Sequence, residues 1–267
     1  MSQPSLDLFY ESNLRLTQAN GYLGYNAGYA EVRGRASFDQ HQKDLVWRLL
    51  GDNPIGPEST VLDVGCGIGG PSGWIMERYK PARVLGLEYC WSSARTAEKR
   101  WENAPVRPII LRSDAHALPV ADASVDVIFN LESALHYRNK HQFLAECFRV
   151  LRPGGRLCLG DITTRYRRLF RILGFLDHFN TQYSTHARLW SSAEYLEAFN
   201  SLGFQMIHHQ EVGRQASYSL RDGLEEVDAK GWKAARGFRG RFFYLLMVEM
   251  LLRRRWLEYD LFALARP

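Results

Sequence analysis

The chain has 267 residues, 46% hydrophobic and 24% charged, with net charge +5 and a pI near 9.0. One elaborated globular domain is expected, and an anionic partner is left open without nucleic acid being implied. The four cysteines (Cys66, Cys90, Cys147, Cys158) lack CxxC spacing, which argues against a zinc site or a disulfide framework. The N-terminus lacks a signal-peptide layout, and the most apolar run, Phe242 to Leu252, is interrupted by Glu249 and too short for a bilayer span. A reduced, cytoplasmic protein is expected.

The first segment, 1–40, contains the aromatic, glycine-rich stretch Tyr22-Leu23-Gly24-Tyr25-Asn26 and is expected to help cover a site. From 41 to 161, short β-rich runs alternate with helical segments. Strands are predicted at Val61–Val64, Arg83–Leu87, Pro108–Leu111, Val125–Phe129 and Arg156–Leu159, and helices at Ser92–Trp101 and Lys140–Leu151. In the second helix Phe143, Leu144, Cys147, Phe148 and Leu151 share a face. The alternation predicts an α/β fold with a parallel sheet covered on both sides and ligands at the carboxyl ends of its strands. Leu151-Arg152-Pro153-Gly154-Gly155 reads as a sharp turn.

After Asp161 the rhythm changes. Residues 162–190 are basic and aromatic without a strand signal. In 191–212, Ser191-Ser192-Ala193-Glu194 opens a helix that stops at Gly203, and Phe204–Val212 reads as a strand. Residues 213–255 read as helices rich in arginine and aromatics, and 256–267 hold a last strand at Leu257–Ala265. The stretches 162–190 and 213–255 are expected as lid insertions, though helices that merely extend the core fit the same pattern.

The most informative run is VLDVGCGIGGP, residues 61–71. Gly65, Gly67 and Gly70 satisfy GxGxxG after a strand, and Glu88 ends the next strand as a ribose-binding acid should. That much suits a nicotinamide dinucleotide equally well. Asp63 changes the balance, because an acid facing the loop repels a pyrophosphate but suits an ammonium, while free loop amides can hold a carboxylate. Asp63 holding the turn by backbone hydrogen bonds is an equally physical reading. A third acid, Asp114 in Ser113-Asp114-Ala115-His116, stands where the following strand ends and can accept from an adenine amine.

Together, VLDVGCGIGG, GLE, SDAHALPVADASVDVIFNLESALHY and LRPGGRLCLGD resemble the class I S-adenosylmethionine-dependent methyltransferases over about residues 55–165. The likeness is to their small-molecule branch, which includes sterol, tocopherol, ubiquinone and natural-product sugar methyltransferases. It implies a Rossmann-like, mostly parallel seven-stranded sheet with helices on both faces, an antiparallel last strand and helical lid insertions. It further implies S-adenosylmethionine as cofactor. Gly65 and Gly67 would line its aminoacyl part with Asp63 in support, Glu88 would bridge the ribose hydroxyls and Tyr89 would flank the adenine. Asp114 and Ala115 would read the adenine ring, Asn130 would meet the methionine moiety through its backbone, and Tyr25 would lie in a segment folding over the cofactor.

Methyl transfer from a sulfonium needs an oriented nucleophile and often a base. His136 and Asp161, near the ends of the fourth and fifth strands, match a histidine–aspartate base pair of some sugar O-methyltransferases in this branch. Glu132 is a third candidate, either anchoring its loop or stabilising a carbocation in carbon methylation. No metal is expected, because Ile162-Thr163 follows Asp161 where catechol-type enzymes carry Asp-Asn. His116 borders the cofactor, and His208-His209 are given no role.

Arg165, Arg167, Arg168 and Arg171, with Arg236, Arg239, Arg241, Arg253, Arg254 and Arg255, are interleaved with Phe170, Phe175, Phe179, Trp190, Trp232, Phe238, Phe242, Phe243 and Tyr244. Such a lid suits an apolar small-molecule acceptor with an anionic handle, and a basic amphipathic helix could also rest on a membrane surface. Arginines coating the solvent side of core helices fit as well. O-methylation of a lipophilic natural product or metabolite is the favoured reading, with C-methylation of a prenyl diphosphate or polyketide precursor as its rival. A nicotinamide-dependent oxidoreductase leaves Asp63 and Asp114 unexplained, and a cofactor-binding protein without catalysis remains a third class. Nucleic acid is disfavoured, since Asn130-Leu131-Glu132-Ser133 stands where an NPPY-like tetrapeptide would. The residues leave open which acceptor is used, which atom is methylated and the oligomeric state.

Overall fold

The computed structural model describes residues 24, 26–166, 189–230 and 239–267, with backbone only at 239–241. Tyr22, Leu23 and Tyr25 lie outside the described residues, as does 167–188 with Arg167, Arg168, Arg171, Phe170, Phe175 and Phe179. So does 231–238, with Trp232, Arg236 and Phe238.

In chain order the elements are α1 (Phe38–Leu50), β1 (Thr60–Val64), α2 (Gly70–Tyr79), β2 (Arg83–Glu88), α3 (Trp91–Trp101), β3 (Ile109–Arg112) and β4 (Val125–Leu131). A 3-10 turn (Ala134–His136) leads to α4 (Lys140–Val150), β5 (Leu151–Thr163), α5 (Ser192–Leu202), β6 (Gln205–Glu211), α6 (Gly213–Ala229), α7 (Arg239–Arg253) and β7 (Glu258–Ala265). The sheet runs β3-β2-β1-β4-β5-β7-β6, and β7 is antiparallel to both its neighbours. This is the expected mixed, seven-stranded arrangement.

Alternation along the central strands sorts the core into two faces. Val61, Val127, Phe129 and Cys158 join one cluster, while Leu62, Ile128, Leu157 and Leu159 join the other. The second face is covered by Phe143, Leu144, Cys147 and Val150 of α4 and by Tyr195, Ala198 and Phe199 of α5. The first is covered by Leu45, Val46, Leu49 and Leu50 of α1, Trp74 and Ile75 of α2, Ala216 and Leu220 of α6, and Val248, Leu251 and Leu252 of α7. The stretch 213–255, expected as a lid, therefore also builds the core of the sheet's first face.

Local signals explain the boundaries. Ser191 Oγ accepts from the Glu194 amide at 3.3 Å while Glu194 Oε2 accepts from the Ser191 amide at 2.8 Å, and Gly203 ends α5 at φ 86°. The turn expected at Arg152–Gly155 is instead a bulge within β5. Val125 pairs with Leu151 but Val127 with Arg156, so the intervening residues loop out and the Gly154 amide donates to the Arg266 carbonyl at 2.7 Å. The four cysteines are buried and form no disulfide. Among the described residues no helix is long and apolar enough to cross a membrane.

Candidate active site

The glycine loop leaves β1 at Val64 and enters α2 at Gly70, with Gly65 at φ 77° and Gly67 at φ 56°, a region that disfavours side chains. A Cβ on Gly65 would strike Ser133 Oγ and come within 3.0 Å of the Tyr137 hydroxyl. Three of the amides at the start of the loop are not free, contrary to expectation. Those of Gly65 and Cys66 donate to the Leu87 carbonyl at 2.7 and 3.0 Å, and that of Gly67 donates to Glu88 Oε2 at 2.9 Å. The loop is thus a close-approach floor fastened to the end of β2, and these three amides offer no anion nest for a pyrophosphate.

Glu88 holds the loop from below, its Oε1 also accepting from the Cys90 amide at 2.8 Å, and it is only 7% exposed. Asp63 is 1% exposed, and its Oδ2 accepts from Ser72 Oγ at 2.6 Å on the first turn of α2. Burial, with Glu88 nearby, pushes its carboxyl up to about 7 despite the Ser72 hydrogen bonds. Its action on any ligand is therefore indirect, through the helix start. Trp101 completes this wall, its indole N–H donating to the Gly69 carbonyl at 2.8 Å while its ring lies against Gly73.

At the end of β3, Asp114 Oδ1 accepts from the His116 amide at 2.9 Å and lies 2.6 Å from His116 Nδ1. His116 Nε2 accepts from the Asn139 amide at 3.2 Å, so Nδ1 carries the proton that faces Asp114. His116 therefore clamps this loop to the start of α4. Partial burial pushes the Asp114 carboxyl up, but the His116 hydrogen bonds outweigh it and hold the group below its usual value. Ala115 is buried beside it and Tyr89 is 46% exposed.

The ends of β4 and β5 carry the remaining candidates. Asn130 Nδ2 lies 2.8 Å from the Val64 carbonyl, 2.6 Å from Ser133 Oγ and 3.1 Å from the Tyr137 hydroxyl. The side chain thus ties β4 to β1. Glu132 sits at φ 50°, strained for a residue with a side chain. Its Oε1 accepts from the Ala27 amide at 2.6 Å and the Tyr259 hydroxyl at 2.7 Å, and burial pushes its carboxyl up to about 7. Residues 26–30, which adjoin Tyr25, are thereby fastened to the site.

His136 and Asp161 do not form the expected pair. Asp161 Oδ2 accepts from Lys140 Nζ at 2.9 Å and from the Tyr195 hydroxyl at 2.5 Å. Nδ1 of His136 and Oδ1 of Asp161 are buried without a hydrogen-bond partner among the described residues. Desolvation, reinforced by the Lys140 cation, lowers His136 to about 4, so its imidazole is neutral at physiological pH. Sequence reasoning missed Ser72, Ser133, Tyr137, Lys140, Tyr195 and Tyr259. Ser133 and Tyr137 stood inside a quoted motif, but no spacing rule marks the others.

Three of the arginines expected to grip an anionic acceptor are already paired. Arg165 pairs with Glu258, Arg253 with Glu249 at 3.3 Å, and Arg255 with Glu211 at 3.8 Å, all with exposed guanidinium groups.

Residues 62–159 match the family described as a methyltransferase domain. A probable S-adenosylmethionine-dependent methyltransferase of Mycolicibacterium smegmatis is 32% identical over 194 residues, covering 72% of this chain and 66% of that protein. The erythromycin 3''-O-methyltransferase of Saccharopolyspora erythraea is 35% identical over 139 residues, 51% of this chain and 45% of its own length. The matches span about half the length of several such relatives. In fold, the geranyl diphosphate C-methyltransferase of Streptomyces coelicolor superposes with a TM-score of 0.77 at 18% identity, covering 99% of this chain and 97% of that one.

Proposed function

The chain belongs to the S-adenosylmethionine-dependent methyltransferases, and on that premise we propose that it methylates a hydroxyl of a small, lipophilic natural product or metabolite. When bound, the cofactor supplies a methyl group on a sulfonium, already activated for in-line displacement. The residues present fit that group. Gly65 and Gly67 leave the floor open beneath its aminoacyl part, and Glu88 offers two oxygens to ribose hydroxyls. Asp114, Ala115 and Tyr89 border the adenine, and the backbone of Asn130 faces the methionine end. Asp63 supports the loop through Ser72.

The observation that carries the O-methyl reading is His136, an imidazole kept neutral with a buried, unpartnered nitrogen near the ends of β4 and β5. A neutral imidazole can take the proton that an acceptor hydroxyl loses. Asp161 contributes through Lys140 and Tyr195 rather than through the ring. The names of the relatives in erythromycin and rifamycin methylation support an oxygen acceptor on a natural product.

Carbon methylation is the second reading, favoured by Glu132. Its strained backbone and carboxyl near 7 are marks of a functional group, and a carboxylate there can receive a proton from carbon or stabilise a cation. One experiment separates them. S-adenosylhomocysteine binding is measured by calorimetry for the wild type, His136→Ala and Glu132→Gln. Methyl transfer is then followed by mass spectrometry on hydroxylated polyketides and on prenyl diphosphates. His136→Ala should bind normally and lose about 10²–10⁴-fold in turnover of a hydroxyl acceptor. Unchanged turnover in that variant sinks the O-methyl reading, and collapse of prenyl diphosphate turnover in Glu132→Gln establishes the other.

A further inference from the structure

Lys140 occupies the first position of α4, directly after the N-cap Asn139, where the helix dipole opposes a cation. It is nevertheless 2% exposed, in a class of side chain almost never buried unless paired. Its ammonium lies 2.9 Å from Asp161 Oδ2 and 2.9 Å from the Tyr195 hydroxyl, and 5.2 and 5.9 Å from the ring centroids of Tyr195 and Trp190. Removing a cation from water into this cage is costly, and Ser, Asp or an apolar residue would start the helix at less cost.

We infer that Lys140 is a positioning residue that takes Asp161 for itself and so leaves His136 as a free, uncharged imidazole for the acceptor. The inference rests on the reading of His136 as proton acceptor. Three observations converge on it. Asp161 spends one oxygen on Lys140 and Tyr195, so the carboxylate is turned to β5–α4–α5 contacts instead of the ring. His136 ends the 3-10 turn four residues before Lys140 in the chain, and the cation opposes a second positive charge there. A histidine paired with that carboxylate would instead hold a proton more tightly and stay charged to a higher pH. The other titratable groups bordering this end of the sheet are Glu132 and Tyr137 on the β4–α4 connection, Asp161 on β5, Tyr195 on α5 and Tyr259 on β7. Asp161 is the one whose charge Lys140 directly matches.

The test follows the His136 imidazole by NMR across pH in the wild type, Lys140→Arg, Lys140→Met and Lys140→Met/Asp161→Asn, together with the pH profile of kcat/KM. In Lys140→Met the His136 midpoint should rise by about one pH unit or more, because the repulsion is gone and a carboxylate is released. Lys140→Arg should keep the wild-type midpoint. If Lys140→Met does not fold, the double variant carries the test, since it removes both buried charges together. Its midpoint should still rise above the wild type, and less than in the single variant if both are measured. An unchanged His136 midpoint in whichever of these variants folds overturns the inference. If the midpoint rises while the acid limb of kcat/KM stays fixed, the Lys140 effect stands and His136 as base is what fails.

Discussion

Replacing Glu88 by alanine probes the cofactor site most directly. The carboxylate does two jobs at once. It accepts from the Gly67 and Cys90 amides at 2.9 and 2.8 Å, and in the proposed function its remaining lone pairs bind the ribose hydroxyls. A hydrogen bond to a charged group contributes about 1.5–3 kcal/mol, so losing the ribose contact should weaken S-adenosylhomocysteine binding roughly 10- to 150-fold. The loop also loses its tether, which places the expected loss in the upper half of that range. Two amides without acceptors cost about 1 kcal/mol each, or about 4–8 °C in Tm for a chain of this size. The assay pairs calorimetric titration of the variant with thermal unfolding of the free protein. A Kd within about twofold of wild type, with Tm lowered as expected, refutes the ribose role and leaves Glu88 as a loop brace alone.

Other expectations follow from the same geometry. Asp63 binds its proton more tightly in the folded protein, where its carboxyl lies near 7, than in the unfolded chain at 3.8. Its contribution to stability therefore falls as pH rises from about 4 to about 7. Asp63→Asn should remove this dependence, so Tm curves of variant and wild type should diverge over that interval, and parallel curves refute the assignment. Gly73→Ala drives a methyl into the Trp101 ring and should cost about 1–3 kcal/mol in denaturant unfolding, whereas an unchanged midpoint contradicts the packing. His209→Ala removes a donor 2.7 Å from the buried Asp260 and a ring stacked 4.6 Å from Phe262. It should cost about 1–2 kcal/mol while leaving S-adenosylhomocysteine binding intact, and a changed Kd would tie β6 to the site.

Much of the architecture was legible because periodicity and end signals are local. The β1 run Val61–Val64 and the α5 start at Ser191 fell within a residue of their observed limits, since apolar runs and a capping box act over a few neighbours. The candidate acids were legible by position, at the ends of successive strands. Their partners were not. Asp63 turns to Ser72, and Asp161 to Lys140 and Tyr195, through contacts that join distant parts of the chain. Lys140 reads as an ordinary solvated helix start until α5 is folded over it. The helices of 213–255 carry an apolar stripe that suits a lid or a core wall equally, and their share in the core cluster of Phe129 and Tyr259 shows only in the fold.

The position of β7 has a consequence for how the protein comes into being. β5 and β6 meet only through it, and it supplies the Tyr259 hydroxyl that Glu132 receives and the Asp260 carboxylate shared by Thr163, Ser192 and His209. Until residue 265 has left the ribosome, β5 therefore has an open flank and Glu132 lacks one of its donors. The nascent chain can assemble β1 to β4 early, but the site matures in a late step that inserts one strand between two waiting ones. That is a non-local closure, intrinsically slow, and it exposes unpaired strand edges while it lasts.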